Sequence, residues 1–156
     1  MPTIEIKTII NADIYTCFDL ARDIDFHASS MEHTKEKAVA GKTSGLISLG
    51  ETVTWEAIHF GIKQHLTSKI TAFESPYYFV DEMVEGAFKS FKHKHLFQQH
   101  YKEDGTNYTL MTDIFQYKSP LGILGSLADV LFLKRYMIRL LQKRCEMLKT
   151  GAENIS

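Results

Sequence analysis

The sequence predicts an α+β fold: an antiparallel sheet of about six or seven strands wrapped around one long C-terminal helix, with two short helices after the first strand. Three observations predict it. Between Pro120 and Leu148, the residues Leu124, Leu127, Leu131, Ile138, Leu141, Cys145 and Leu148 recur at spacings of three, four and seven, which aligns them on one helix face. Val130, Leu133, Met137 and Leu140 widen that face, as a helix lying across a sheet requires. The middle of the chain alternates apolar and polar residues between turn signals, and helical spacing appears briefly after the first alternating run. Strands in series with a helix at one end belong to the α+β class. A sheet wrapped around a helix also leaves room for a cavity between the two.

Each element has its own signal. Thr3–Ile10 sets Ile4 and Ile6 against Glu5 and Lys7, the pattern of a half-buried strand. Asn11 or Asp13 can cap the next segment, where Ile14, Phe18 and either Leu20 or Ala21 mark a short helix. Ile24–Met31 reads as a second, with Asp23 or Asp25 near its start. Lys35–Ala40 resembles a modest strand, after which Gly41, Gly45 and Gly50 punctuate a loop-rich passage. Glu51–Phe60 and Ile62–Phe73 read as a hairpin turning near Gly61. Pro76 interrupts before a strand from Tyr77 to Val84, and Glu85-Gly86-Ala87 makes the turn into a long strand from Phe88 to about Lys102. Asp104-Gly105 is a strong hairpin signal and leads into Asn107–Lys118.

Composition narrows the functional classes. At 156 residues, with 44% apolar and 24% charged side chains, the chain fits one folded domain with a substantial core. A net charge of −1 gives no whole-molecule basis for nucleic-acid binding. Lys134, Arg135, Arg139, Lys143, Arg144 and Lys149 crowd the final helix and read as a solvated face that suits the negative end of its dipole. Cys17 and Cys145 are far apart and each sits in an apolar helical pattern, so buried free thiols are expected. The start, Met1-Pro2-Thr3-Ile4-Glu5, lacks a basic region and an apolar signal core, and no apolar run approaches the ~20 residues that cross a bilayer. A cytoplasmic protein is the resulting expectation.

The chemistry-bearing residues cluster on strands. Phe91, His93, His95 and Phe97 share one strand face, with Lys92, Lys94 and Gln98 on the other, and the flanking aromatics make the histidine face the inner one. Phe79, Asp81 and Met83 alternate on the preceding arm, and a turn at Gly86 brings Asp81 near Phe91 and His93. Trp55 and His59 share a face, beside which the Gly61 turn sets Gln64, Leu66 and Ile70. The candidate ligand-binding set is therefore Trp55, His59, Gln64, Phe79, Asp81, Phe91, His93, His95 and Phe97: apolar walls with sparse polar anchors. His93, His95 and Asp81 are the candidate acid–base groups, since an imidazole near a carboxylate suits proton transfer.

His93-Lys94-His95 also puts two imidazoles roughly 6–7 Å apart at Cα by strand rise, able to chelate an ion with His59 or Asp81 as third ligand. The motif is short and no second local pair supports it, so no metal and no cofactor are expected. His27, His33, His65 and His100 read as surface residues. There is no nucleophile elbow, phosphate-binding glycine loop or dinucleotide fingerprint; Gly122 and Gly125 sit at the helix start, where packing or turn geometry explains them.

Three passages resemble the START-like, or SRPBCC, superfamily of helix-grip, polyketide-cyclase-like and ligand-binding proteins. They are Trp55-Glu56-Ala57-Ile58-His59-Phe60-Gly61; Pro76-Tyr77-Tyr78-Phe79-Val80-Asp81 through Phe88 and on past His93 and His95 to Phe97; and Tyr117-Lys118-Ser119-Pro120-Leu121-Gly122. They look like a bacterial subgroup described as cyclase, ligand-binding or cell-division-related proteins. The resemblance spans the chain and implies one such domain over residues 1–150, a short tail at 151–156, and a hydrophobic cavity beneath the long helix. The cysteine–histidine pattern of Rieske oxygenases is absent, and no catalytic motif of the subgroup carries over.

Three functions follow as expectations. The leading one is binding of a small hydrophobic molecule (lipid, aromatic or polyketide-like) in an internal cavity. The alternative is a cyclase or dehydratase in which His93 or His95 acts as base, Asp81 fixes its tautomer and His59 polarises a carbonyl. The third is an interaction or membrane-surface module using Arg135, Arg139 and Lys143.

Overall fold

Asp13 and Asp23 start the two short helices by the same device. The Asp13 carboxylate accepts from the backbone N–H of Thr16, at 3.0 Å, and opens α1, Ile14–Ala21. The Asp23 carboxylate accepts from Phe26 N at 3.1 Å and opens α2, Ile24–Ser30. These helices follow β1, Thr3–Ile10, and a short 3-10 turn at Glu32–Thr34 leads into β2, Lys37–Gly41. Four longer strands and a fifth then run in series: β3 Thr52–His59, β4 Ile62–Glu74, β5 Tyr78–Glu85, β6 Ser90–Tyr101 and β7 Asn107–Lys118. The last element is α3, Lys134–Ile155. The structure is a computed structural model that describes residues 2–119 and 132–155.

All neighbouring strands are antiparallel, in the order β1-β7-β6-β5-β4-β3-β2. Consecutive strands thus form a meander from β2 to β7, and β1 returns to cover the free edge of β7. Alternation works as expected from a sheet with one covered face. Along β6 the buried residues are Phe91, His93, His95 and Phe97, and along β7 they are Thr109, Met111, Asp113, Phe115 and Tyr117. Bulges in the β4–β5 pairing shift the register between Thr67 and Ser68 and again between Ile70 and Ala72, where added twist helps the sheet curl.

The helix α3 lies in that curl. Met137, Leu141, Cys145, Leu148 and Ala152 are buried at helical spacing and make its inner stripe. The stripe divides the core into two clusters. One gathers Phe18, Phe79, Phe97, Met111, Cys145 and Leu148 under the short helices; the other gathers Phe91, Phe115, Tyr117, Met137 and Leu141 at the far end. Phe18 organises the first, with Phe73, Phe79 and Phe97 edge-on to it at 5.3–5.5 Å.

The end and the charged face of α3 differ from the sequence expectation. The helix continues through Ile155 with Ala152 fully buried, so 151–155 is not a tail. Gly151 explains the extension, because a Cβ there would stand 2.8 Å from the Phe26 ring: its bare backbone lets α3 lie against α2. Arg144 and Lys149 leave the solvated basic face; Arg144 turns inward and Lys149 donates to the Ile9 carbonyl and Glu153. The expected helix opening at Pro120, with Gly122, Gly125, Leu124, Leu127, Val130 and Leu131, lies outside the described residues.

Candidate functional site

Between the concave sheet and α3 is a cavity of about 550 Å³. Its walls are mostly apolar and aromatic, and its polar groups fall into three sets built from different elements. The expected residues Trp55, His59, Gln64, Phe79, Asp81, Phe91, His93 and His95 all line it. Phe97 does not. Its ring packs edge-on to Phe18 in the core behind the wall, because the short helices cover that stretch of β6.

The floor set comes from three adjacent strands. Register places Asp81 opposite His93 and His95 opposite Asp113. The hydrogen bonds run diagonally instead: His95 Nε2 pairs with Asp81 Oδ1 at 2.7 Å, and His93 Nε2 with Asp113 Oδ1 at 2.9 Å. His95 Nδ1 also lies 3.2 Å from Asp113 Oδ1, at an angle too oblique for a hydrogen bond, so that contact acts through charge. The two imidazoles have ring centroids 3.8 Å apart, and the Phe79 ring stacks on His95 at 4.2 Å.

Burial and charge set opposite protonation tendencies in this pair. Burial pulls both imidazoles toward the neutral form. For His95 the carboxylates of Asp113 and Asp81 outweigh burial and raise its pKa above the ordinary 6.5. For His93, burial together with the neighbouring His95 charge prevails and the pKa falls. Burial pushes Asp113 up, yet its hydrogen bond to His93 and its close contact with His95 hold it well below the usual carboxylate range. Asp81 is lowered too, with His95 overcoming burial. Cys145 Sγ points at Asp113 Oδ2 from α3, at 3.4 Å, and burial beside that carboxylate lifts its thiol to about 12. It is a packed thiol, with Cys17 likewise buried and free.

The second set hangs from α3. Arg144 Nε donates to His27 Nδ1 at 3.0 Å, so His27 meets Glu36 Oε1 through its other nitrogen, Nε2, at 2.8 Å. Arg144 also donates to the Ala21 carbonyl and stands 3.8 Å from Asp113 Oδ1. One guanidinium thereby joins α1, α2, α3 and the sheet floor. Burial raises Glu36, but its interaction with His27 outweighs burial and leaves the carboxyl below its ordinary 4.5. His27 is not a surface residue: its ring lies 4.4 Å from that of Trp55.

The third set sits where the cavity meets solvent. Tyr136 donates its hydroxyl to His59 Nδ1 at 2.5 Å; burial lowers the His59 pKa and raises that of Tyr136, which favours this direction of donation. Phe60 and Phe132 are 50% and 59% exposed, and Phe60 contacts the rings of both Phe132 and Tyr136.

No family model and no curated protein sequence matches the chain. Solved structures do match over its whole length. A Thermus thermophilus protein superposes with a TM-score of 0.78 at 17% identity, covering 99% of both chains. A START superfamily protein from Mycobacterium smegmatis gives 0.74 at 12% identity, again covering 99% of each. The ginseng major latex-like protein 151 from Panax ginseng gives 0.67 at 14% identity, covering 97% of each. The chain has the START-like helix-grip fold.

Sequence reading missed four residues of the helix-grip interior: Asp113, Arg144, Glu36 and His27. Asp113 had a readable signal, as the one carboxylate on the inward face of β7 among Met111, Phe115 and Tyr117. Arg144 had none, because it stands in a basic run whose other members, Arg139 and Lys143, face solvent.

Proposed function

We propose that the chain binds one small, largely apolar molecule in the helix-grip cavity and orients a hydroxyl or carbonyl of that molecule at the polar floor. The observation that carries this reading is a cavity of about 550 Å³ whose aromatic walls converge on Asp81, His93 and His95. Small-molecule sites of this size range combine an apolar lining with a few placed polar groups. Covering roughly every 100 Å² of apolar ligand surface contributes about 2.5 kcal/mol before ordering costs. The floor carboxylates are each paired with an imidazole, so the floor offers directional contacts without a large unpaired charge.

Trp55 is the sole tryptophan and lines the cavity, so its fluorescence reports occupancy directly. Titration with anilinonaphthalene sulfonate, long-chain fatty acids and flat polycyclic phenols is expected to shift Trp55 emission saturably, with one molecule per chain by native mass spectrometry. Failure of every class to bind, with no co-purifying organic molecule, would sink the reading.

A second reading is proton-transfer catalysis on the bound molecule. Its specific support is the opposed protonation of adjacent imidazoles, His95 raised and His93 lowered, on a wall open to the cavity. Replacing His93 with Ala then abolishes turnover while probe binding persists.

A further inference from the structure

We propose that Asp81, His93 and His95 bind one divalent transition-metal ion of the zinc or cobalt class on the cavity floor. The proposal goes beyond organic-ligand binding and does not depend on it. Two imidazole nitrogens and a carboxylate oxygen are the donor set that suits such ions rather than hard, oxygen-preferring cations.

Geometry supplies three arguments. Each of the three residues presents a ligand atom, and these atoms lie within 4.8 Å of one another. Ligand atoms about 2.0–2.1 Å from a tetrahedral ion stand roughly 3.3 Å apart. His95 Nε2 and Asp81 Oδ1, now 2.7 Å apart, need only open slightly, and the widest pair must close by about 1.5 Å, within side-chain rotation.

Asp113 stands behind the ligands. Asp113 is 1% exposed and does not line the cavity, yet its Oδ1 is 2.9 Å from His93 Nε2 and 3.2 Å from His95 Nδ1. A buried carboxylate hydrogen-bonded to one ligand histidine and in close contact with the other is an outer arrangement that orients imidazoles toward an ion. Asp81 and Asp113 together carry the two negative charges that match a divalent cation. Third, all three ligands line the cavity, so three protein atoms leave a fourth coordination position facing it. A bound molecule's hydroxyl or carbonyl, or water, would take that place.

The test uses the whole protein stripped with a chelator and no organic ligand. Titration with zinc by calorimetry, and with cobalt(II) by visible absorption, is expected to give about one ion per chain and a cobalt spectrum of nitrogen and oxygen ligands. His93→Gln, His95→Gln and Asp81→Asn each weaken zinc binding by ~100-fold or more, and Asp113→Asn by about 10-fold as a positioning residue. His65→Gln, an exposed histidine next to Glu56, leaves affinity unchanged. Should a variant fail to fold, wild-type ring NMR decides: zinc must move the His93 and His95 signals and spare His65. Absence of stoichiometric binding, or binding that survives loss of both histidines, overturns the site. Either result leaves the Trp55 titration with organic molecules to stand or fall separately.

Discussion

Asp113 is the residue whose removal the interior tolerates least. Its carboxylate is buried, ionised and shared by His93, His95, Cys145 and Arg144. Asp113→Asn keeps the shape and deletes the charge, leaving the His93 and His95 rings and the Arg144 cation without their shared carboxylate. Breaking one partner of such a buried pair costs roughly 3 kcal/mol, which urea denaturation at neutral pH will measure. Glu36 makes a second prediction, in acid. Its folded pKa lies below 4.5, so ionised Glu36 contributes stability that is fully present above that value. The contribution is lost as pH falls below 4.5 through the folded pKa. Thermal melts from pH 7 to 3 should therefore show a smaller acid loss in Glu36→Gln than in the parent; equal curves would exclude the effect.

Elements tell where local pattern suffices and where it stops. The caps of α1 and α2, the β3–β4 hairpin at Gly61 and the bounds of β7 were all legible, because each depends on residues within a few positions of one another. Alternation also placed His93 and His95 inward. It could not place Asp113 against them, since that contact is set by the pairing of β6 with β7. Nor could it show that His27 leaves the surface, because helix spacing says nothing about which helix lies beneath it. The end of α3 was missed for a related reason: the apolar spacing was followed only to Leu148, while Gly151 lets the helix cross close over Phe26. Gly151→Ala gains up to about 1 kcal/mol in helix propensity, but its Cβ would stand 2.8 Å from the Phe26 ring, so that ring must shift. We expect net destabilisation of about 1 kcal/mol by calorimetric melting.

For the molecule as a whole, the helix-grip arrangement makes the stability of the shell and the emptiness of its interior separable. The two core clusters hold α3 at its ends, and the cavity lies between them. Ser68 is buried on the cavity wall, from β4. Ser68→Phe should fill space without disturbing either cluster, weakening binding of an apolar probe at least about 10-fold, or 1.4 kcal/mol, with the melting temperature held or raised. Unchanged probe affinity would mean that the probe binds elsewhere. No helix among the described residues is long and apolar enough to cross a membrane.

The tip of the β3–β4 hairpin carries a kinetic consequence. Phe60 and Gly61 both have positive φ, 55° and 74°, a turn for which Asn-Gly is the favoured pair. A bulky side chain there costs on the order of 1–3 kcal/mol, offset by its rings of contact on Phe132 and Tyr136. The turn keeps these angles whether or not the rings touch, so the contacts of Phe60 with Phe132 and Tyr136 hold the tip against α3 as a clasp. Phe60→Asn keeps the turn and removes the clasp. Stopped-flow mixing should then show a bound molecule arriving and leaving faster, with its equilibrium affinity little changed. On the proposed function, exchange through the cavity mouth would thus be set by aromatic contacts at the rim, apart from the polar groups on the floor.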